Sequence, residues 1–402
     1  MNKKISVGIC LSLIILTIAA SVCLTLVFSR QIYNKLIGNI SQRSISYDTV
    51  EEIEKIVSSY FYGTVSGGNS LEAAVSSGYV TGLGDSNSKY LSAAEKAEYQ
   101  SRMEGSEQGC GIETYFDISS NSLMVAYVYP SSPAENAGVT AGCVIKTIDG
   151  EEVTRGNYKA LAAALTDASR QTVNVEYESG GNLLIGEMET TFTLPTCLGT
   201  VSGSNGYIYI KGFFDNTAED FTTLVQSLKG SGAENFIIDV RNVSDGTIEN
   251  AVKVIDAVVP SIDGNIAVAK DKNGNTYKNC LYTSSASSIA LNAVILVNSG
   301  TQGPAELFAC DMRDINKAKI VGTTTAGNGT MQEVFNLENG DALLLTVAKV
   351  IPYGGEEAAY DKSGIVPDYE AELKDMQQGE ISIYNLSKDS QVAAALSLFT
   401  AA

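Results

Sequence analysis

The stretch Ala290–Phe308, ALNAVILVNSGTQGPAELF, reads as a buried strand that turns into a helix. In an α/β enzyme such a turn is where a nucleophile is often presented, yet here it holds Gly303 followed by Pro304. On either side the chain alternates the same two textures. YIYIKGF, NFIIDVRN and NAVILVNSG read as strands, whereas TAEDFTTLVQSLKG, GTIENAVKVIDAVV and PAELFACDMRD read as helices. AKIVGTTT and ALLLTVAKVI continue the alternation. This pattern predicts a mostly parallel sheet with crossover helices, whose sites form outside the carboxyl ends of the strands. RNVSDG (residues 241–246) and NSGTQG (residues 298–303) occupy that edge.

Between Gly109 and about Leu194 the texture changes to short β runs, GIETYF, SLMVAYVYP, CVIKTIDG, TVNVEYE and METTFTL, interrupted by helical SPAENAG and NYKALAAALTD. These predict a small β module capped by two helices. Upstream, SYDTVEEIEKIVSSYFYG has the helical period of an amphipathic helix, followed by SLEAAVSSGYVTGL and a charged helix. Ile5–Phe28 carries no charge over 24 residues, roughly 36 Å as a helix, enough to span a bilayer. Lys3 and Lys4 precede it. The expectation is a single-pass anchor in the cell membrane with a cytoplasmic N-terminus and the bulk of the chain outside. A cleaved signal peptide is the rival reading, though the run exceeds a usual hydrophobic region.

Composition excludes several functions. With 27 basic against 46 acidic residues the net charge is −19, which repels nucleic acid and anionic lipid surfaces. There is no histidine, so triads that move a proton through imidazole are ruled out, as are histidine zinc sites. Seven cysteines (Cys10, Cys23, Cys110, Cys143, Cys197, Cys280, Cys310) include no CxxC pair, which favours free thiols over a metal knuckle or disulfide framework. No metal and no cofactor are expected.

Seven motifs in order resemble the carboxy-terminal processing, or tail-specific, serine peptidases with a PDZ domain. GLGDSNSKYLSAAEKAEYQ, SSPAENAGVTAGCVIKTIDGEEV, GYIYIKGFFDNTAEDF, IIDVRNVSDGTIENAVKVID, VILVNSGTQGPAELFACDMRD, KIVGTTTAGNGTMQEVFNLENGDALLLTVAKVIPYGG and SGIVPD carry the likeness. It implies an α+β multidomain chain. Residues 1–4 would be cytoplasmic, 5–28 the transmembrane anchor, 29–105 a helical region and 106–190 a PDZ-like β module with two helices. Residues 191–375 would form an α/β peptidase core of the ClpP/crotonase type, and 376–402 a C-terminal helical segment.

The resemblance also implies a catalytic serine in NxxSASASE, a lysine base in GKGxxQ and a glutamine four residues beyond it. Asn298 and Glu306 align the first motif and place Gly303 at the serine. GNGTMQ aligns the second and places Asn328 at the lysine and Gln332 at the glutamine. A glycine has no nucleophile, and a carboxamide does not titrate. The oxyanion donor expected just after the serine falls on Pro304, which has no N–H. Where the family reads RNNPGG this chain has RNVSDG, with Asp245 beside Gly246. Its carboxylate is expected to face the place where negative charge would develop.

The resulting expectation is a pseudopeptidase, with Gly303, Asn328 and Gln332 as family-equivalent positions and Asp245, Gly246 and Pro304 as a degenerate oxyanion region. The alternative is an active serine-type endopeptidase that uses Thr301 or Ser299 with a lysine such as Lys349. Cys310, on the helix after the turn, reads as a buried thiol. A third reading is a purely structural subunit. The PDZ loop corresponds to Gly109, Cys110, Gly111 and Ile112, whose amides would receive a chain-terminal carboxylate while the strand from Ile112 accepts the ligand as an added strand. Partners expected are polypeptide C-termini or unfolded segments, the membrane through the N-terminal helix, and a second copy or an active homologue. No nucleic-acid partner is expected.

Overall fold

The computed structural model describes residues 48–63, 68–284, 289–374 and 381–400. The anchor expected at Ile5–Phe28 lies outside the described residues, and among those described no helix is long and apolar enough to cross a membrane. Two compact units divide the chain at Ser70. In the first, helix α1 (Asp48–Tyr60) buries none of its residues, so Val50, Ile53, Ile56 and Tyr60 stand exposed at helical spacing.

The second unit contains everything from Leu71 onward. Helix α2 (Gly68–Thr81) leads to the short strand β1 (Lys89–Leu91) and helix α3 (Ala93–Met103). Ser92 caps α3 with a capping box closed by Glu95. The β module follows, with strands β2 (Ile112–Asp117), β3 (Ser122–Val128), β4 (Val144–Ile148), β5 (Thr172–Ser179) and β6 (Asn182–Glu189), and helix α4 (Tyr158–Ala162). Its sheet runs β2-β3-β4-β5-β6, with Glu151–Glu152 added to β4. Strand β2 is therefore an edge. Leu123, Val125, Ile145, Val173, Val175 and Met188 fill a separate core in this module.

The α/β core begins with a hairpin, β7 (Cys197–Ser202) antiparallel to β8 (Asn205–Ile210). Helix α5 (Thr217–Gly230), β9 (Asn235–Asp239), α6 (Ile248–Val258), β10 (Asn265–Lys270) and β11 (Thr276–Thr283) come next. Then follow β12 (Asn292–Val297), α7 (Pro304–Asp311), β13 (Lys319–Gly322), β14 (Thr330–Asn336), β15 (Ala342–Pro352), β16 (Tyr369–Glu370) and α8 (Ser390–Thr400). From β8 onward the main sheet is parallel, in the order β7-β8-β9-β12-β13-β16. Ile208, Ile238, Ile295 and Ile320 lie in register across four strands, fully buried in one cluster with Phe221, Val254 and Phe308 of α5, α6 and α7. The alternate residues Ile237, Val294, Leu296 and Val321 face a second cluster with Val392 and Ala395 of α8. Burial on both faces explains the continuous apolar runs.

One expectation is corrected. ALLLTVAKVI does not extend the parallel sheet: β15 is the centre of a second, antiparallel sheet with β1, β10, β11 and β14. The turn Leu337–Asp341, closed by Leu337 N–H to Asp341 O at 2.9 Å, joins β14 to β15 as a hairpin. So short a connection permits only antiparallel pairing, because a parallel pair needs a crossover.

Helix α7 buries Asp311 fully, with one oxygen accepting from Tyr353 N–H at 3.0 Å and the other without a partner among the described residues. Burial holds this carboxyl well above the ordinary carboxylate range. A folded-state value above the unfolded one means the folded chain binds the extra proton. Stability is thus greatest below the unfolded value and falls as pH rises towards the folded one, by at most about 1.4 kcal/mol per pH unit. Asp311→Asn is expected to shrink the difference in urea stability between pH 5 and pH 8. An unchanged difference would contradict this account of Asp311.

Candidate active site

Three loops meet at the carboxyl end of the parallel sheet, after β9, β12 and β13. Asn298, buried at the end of β12, accepts from Asn242 N–H at 2.9 Å and from Gly300 N–H at 3.0 Å, and donates to Asn242 Oδ1 at 2.9 Å. Gln302 N–H donates to Val243 O at 2.9 Å, and Ala326 N–H to Thr301 O at 3.1 Å. These bonds sew 241–246, 298–303 and 323–329 into one edge.

Gly303 stands immediately before α7 with φ 61° and ψ −114°. Its N–H donates to Glu306 Oε2 at 3.0 Å. Glu306 is fully buried and also accepts from Thr325 Oγ1, Gly327 N–H and Asn328 N–H. Four donors offset the cost of taking this carboxylate out of water, and together they bind the 325–328 loop to the turn before α7.

That clamp sets the central distance. A Cβ built on Gly303 would lie 3.6 Å from Asn328 Nδ2, an ordinary van der Waals contact, with no other heavy atom nearer. Two positions 25 residues apart thus face each other across a space that could take a side chain. Asn328 Oδ1 accepts from Thr330 Oγ1 at 2.6 Å and from Asn87 Nδ2 at 3.1 Å. Gln332 Nε2 donates to Thr330 Oγ1 at 2.8 Å and Thr346 Oγ1 at 3.1 Å. The chain Asn87, Asn328, Thr330, Gln332 and Thr346 consists of amides and hydroxyls only, so it orients dipoles but offers no group that takes up a proton near neutrality.

Asn328, Gln332 and Gly246 line two adjoining cavities of about 390 Å³ each. Pro304 and Thr330 line the first, Asp245 and Gln302 the second. Gly246 has φ 116°, and a Cβ there would come within 2.3 Å of Phe213 O. Only glycine fits this close approach. Asp245 does not stand free: its carboxylate lies 3.8 Å from Arg102 Nε of α3, both side chains about half exposed. The charge that Asp245 brings to this edge is thus partly offset by Arg102.

Neither Thr301 nor Cys310 offers a free nucleophile. Thr301 is fully buried, its Oγ1 donating to Val240 O at 2.9 Å and accepting from Asn298 N–H at 3.0 Å. Ser299 is exposed, and among the described residues no lysine is hydrogen-bonded to either hydroxyl. Lys349 pairs with Glu356 at 3.1 Å. Lys278, which lines the first cavity, is bonded to Glu333, and that bond raises its pKa and keeps it a cation. Cys310 is buried, and burial pushes its thiol up, away from the reactive thiolate.

In the β module, Ile112 opens edge strand β2. Gly111 has φ 90° and packs so tightly that a Cβ would sit 2.1 Å from that of Ser132. Gly109 pairs with Phe192, and Cys110 N–H donates to Leu165 O at 2.8 Å. The expectation that Cys110 lends its amide to a carboxylate is therefore corrected, since a backbone carbonyl already occupies it. Sequence reasoning also missed Asn87, whose contact to Asn328 spans 241 residues; the likeness of GLGDSNSKYL to the family segment was the one signal near it.

Comparison with known proteins agrees with this architecture. The model of "Peptidase family S41" matches residues 204–371, which hold the main sheet from β8 to β16 and all three site loops. The carboxy-terminal processing protease CtpA of Bacillus subtilis is 26% identical over 332 residues, covering 82% of this chain and 70% of that protein. The carboxyl-terminal-processing protease of Synechocystis is 27% identical over 308 residues, 74% of this chain and 69% of that protein. A crystal structure of an S41 protease from Bacteroides fragilis superposes with a TM-score of 0.56 over 81% of this chain and 90% of the other, at 17% identity, which is a likeness of fold. Residues 204–371 therefore carry a peptidase family S41 core, and the chain is similar to the carboxy-terminal processing proteases along most of its length.

Proposed function

We propose that this chain is a pseudopeptidase, one that keeps the peptidase scaffold and binds polypeptide without cutting it. The observation that carries the reading is the facing pair Gly303 and Asn328, a missing side chain whose Cβ would lie 3.6 Å from an uncharged amide. Pro304 next to it lacks the N–H that would hold an oxyanion. Relocation of the chemistry to Thr301 is disfavoured by the two bonds that commit its hydroxyl.

On this reading the β module at 106–190 is PDZ-like and takes polypeptide C-termini by strand addition along the open edge of β2, from Ile112 onward. The uncharged run Ile5–Phe28 holds the protein at the cell membrane with the bulk of the chain outside. A second copy or an active homologue is the further partner considered. Immobilised peptides with apolar C-terminal residues are expected to retain the full chain and to be recovered intact. No retention by any such peptide, with the chain folded, would favour a purely structural subunit.

A further inference from the structure

A cavity of about 700 Å³ lies where the β module, the α/β core and the C-terminal segment meet. Residues 113–116 of β2 form one wall, Arg155, Tyr158 and Lys159 at the start of α4 another, and Tyr207 and Tyr209 of β8 a third. Residues 381–383 complete it. The volume falls within the range of ligand sites. Phe116 and Tyr158 stack with ring centroids 4.4 Å apart, giving the β2 side and the α4 side a shared aromatic surface.

Charge sets this cavity apart from the rest of the molecule. In a chain of net charge −19, Arg155 and Lys159 are exposed, and neither makes an ion pair among the described residues. The carboxylate in the lining, Glu113, is neutralised by Lys211 at 3.1 Å and accepts from Tyr129 Oη at 2.7 Å. Ser382 Oγ, also in the lining, is buried and without a partner among the described residues. Two uncompensated cations, an unused hydroxyl and the unpaired edge of β2 therefore converge on one space.

The geometry points to an extended acidic polypeptide segment as the occupant of this cavity, lying along β2 with its carboxylate side chains on Arg155 and Lys159. We infer this as a refinement of the peptide-binding reading above and it rests on that reading. Strand addition supplies the main-chain bonds, and the two cations select the sequence. The commitment of the Cys110 amide to Leu165 shifts the weight of recognition from a terminal carboxylate towards these side chains.

The test measures binding of the full chain to three fluorescent peptides that share an apolar C-terminus and carry upstream Glu/Asp, Gln/Asn or Lys residues. Expected is a preference of about 10-fold or more for the acidic peptide over the neutral one, the sum of two exposed charge pairs. The preference should shrink in 0.5 M salt. Arg155→Glu with Lys159→Glu should abolish or reverse it, and a preference that survives both changes overturns the role given to these two cations. Equal binding of all three peptides overturns the acidic selection and leaves peptide binding standing. Absence of binding to every peptide by a chain with its native melting profile overturns both.

Discussion

Replacing Gly303 by serine, Asn328 by lysine and Pro304 by alanine together is expected to create peptide hydrolysis well above the level of the unaltered protein. The first change puts a hydroxyl in the space beside residue 328, where a Cβ meets no atom closer than 3.6 Å. The second supplies a base facing it, with Gln332 and Thr330 in place to orient the amine. The third returns a backbone N–H to the position after the nucleophile, next to Gly246 across the cleft. A single missing oxyanion donor costs about 10²–10³ in turnover. The serine–lysine double variant that retains Pro304 should therefore be slower than the triple variant by that factor. Equal rates for the two would contradict the oxyanion argument. Serine at φ 61° also brings backbone strain of about 1–3 kcal/mol, so a lower melting temperature should accompany Gly303→Ser.

The largest stability loss is expected from Arg241→Ala. Arg241 is fully buried at the end of β9. Its Nε donates to both oxygens of Asp239 at 2.9 Å, and its Nη1 to Asp389 Oδ2 at 2.8 Å and Gln391 Oε1 at 2.7 Å. Tyr207 Oη adds a bond to Asp239 at 2.6 Å. Asp389 in turn accepts from the N–H groups of Gln391 and Val392 in the first turn of α8. Truncating the arginine leaves two carboxylates, Asp239 and Asp389, buried without their cation, and breaking a buried pair in this way costs about 3–5 kcal/mol. Urea denaturation measures it. A loss under about 1 kcal/mol, the scale of an exposed pair such as Arg102 and Asp245, would contradict the role given to Arg241.

Much of this was legible in the sequence because the signals are local. NFIIDVRN and NAVILVNSG show their burial on both faces as unbroken apolar runs, and the loops after them hold the polar residues that the strand ends present. What stayed hidden depends on long-range contact or on weak patterning. In TYKNCLYT the alternation of partly buried and exposed positions breaks at Lys278 and Asn279, both exposed and at positive φ, so β11 and the antiparallel sheet it belongs to leave no clear periodicity. Hydrogen bonds from Asn87 to Asn328, and from Cys110 to Leu165, link positions far apart in the chain. The arginine cluster likewise draws on Asp239, Asp389 and Gln391, three residues that no spacing rule joins.

The most direct measurement is turnover by the unaltered protein. The purified chain, incubated with a denatured polypeptide and separately with a serine-directed fluorophosphonate, should yield no fragments above a no-enzyme control and no covalent label. Fragments together with a label that disappears in Thr301→Ala or Ser299→Ala would contradict the account, because they would place a working nucleophile beside Gly303 and Asn328.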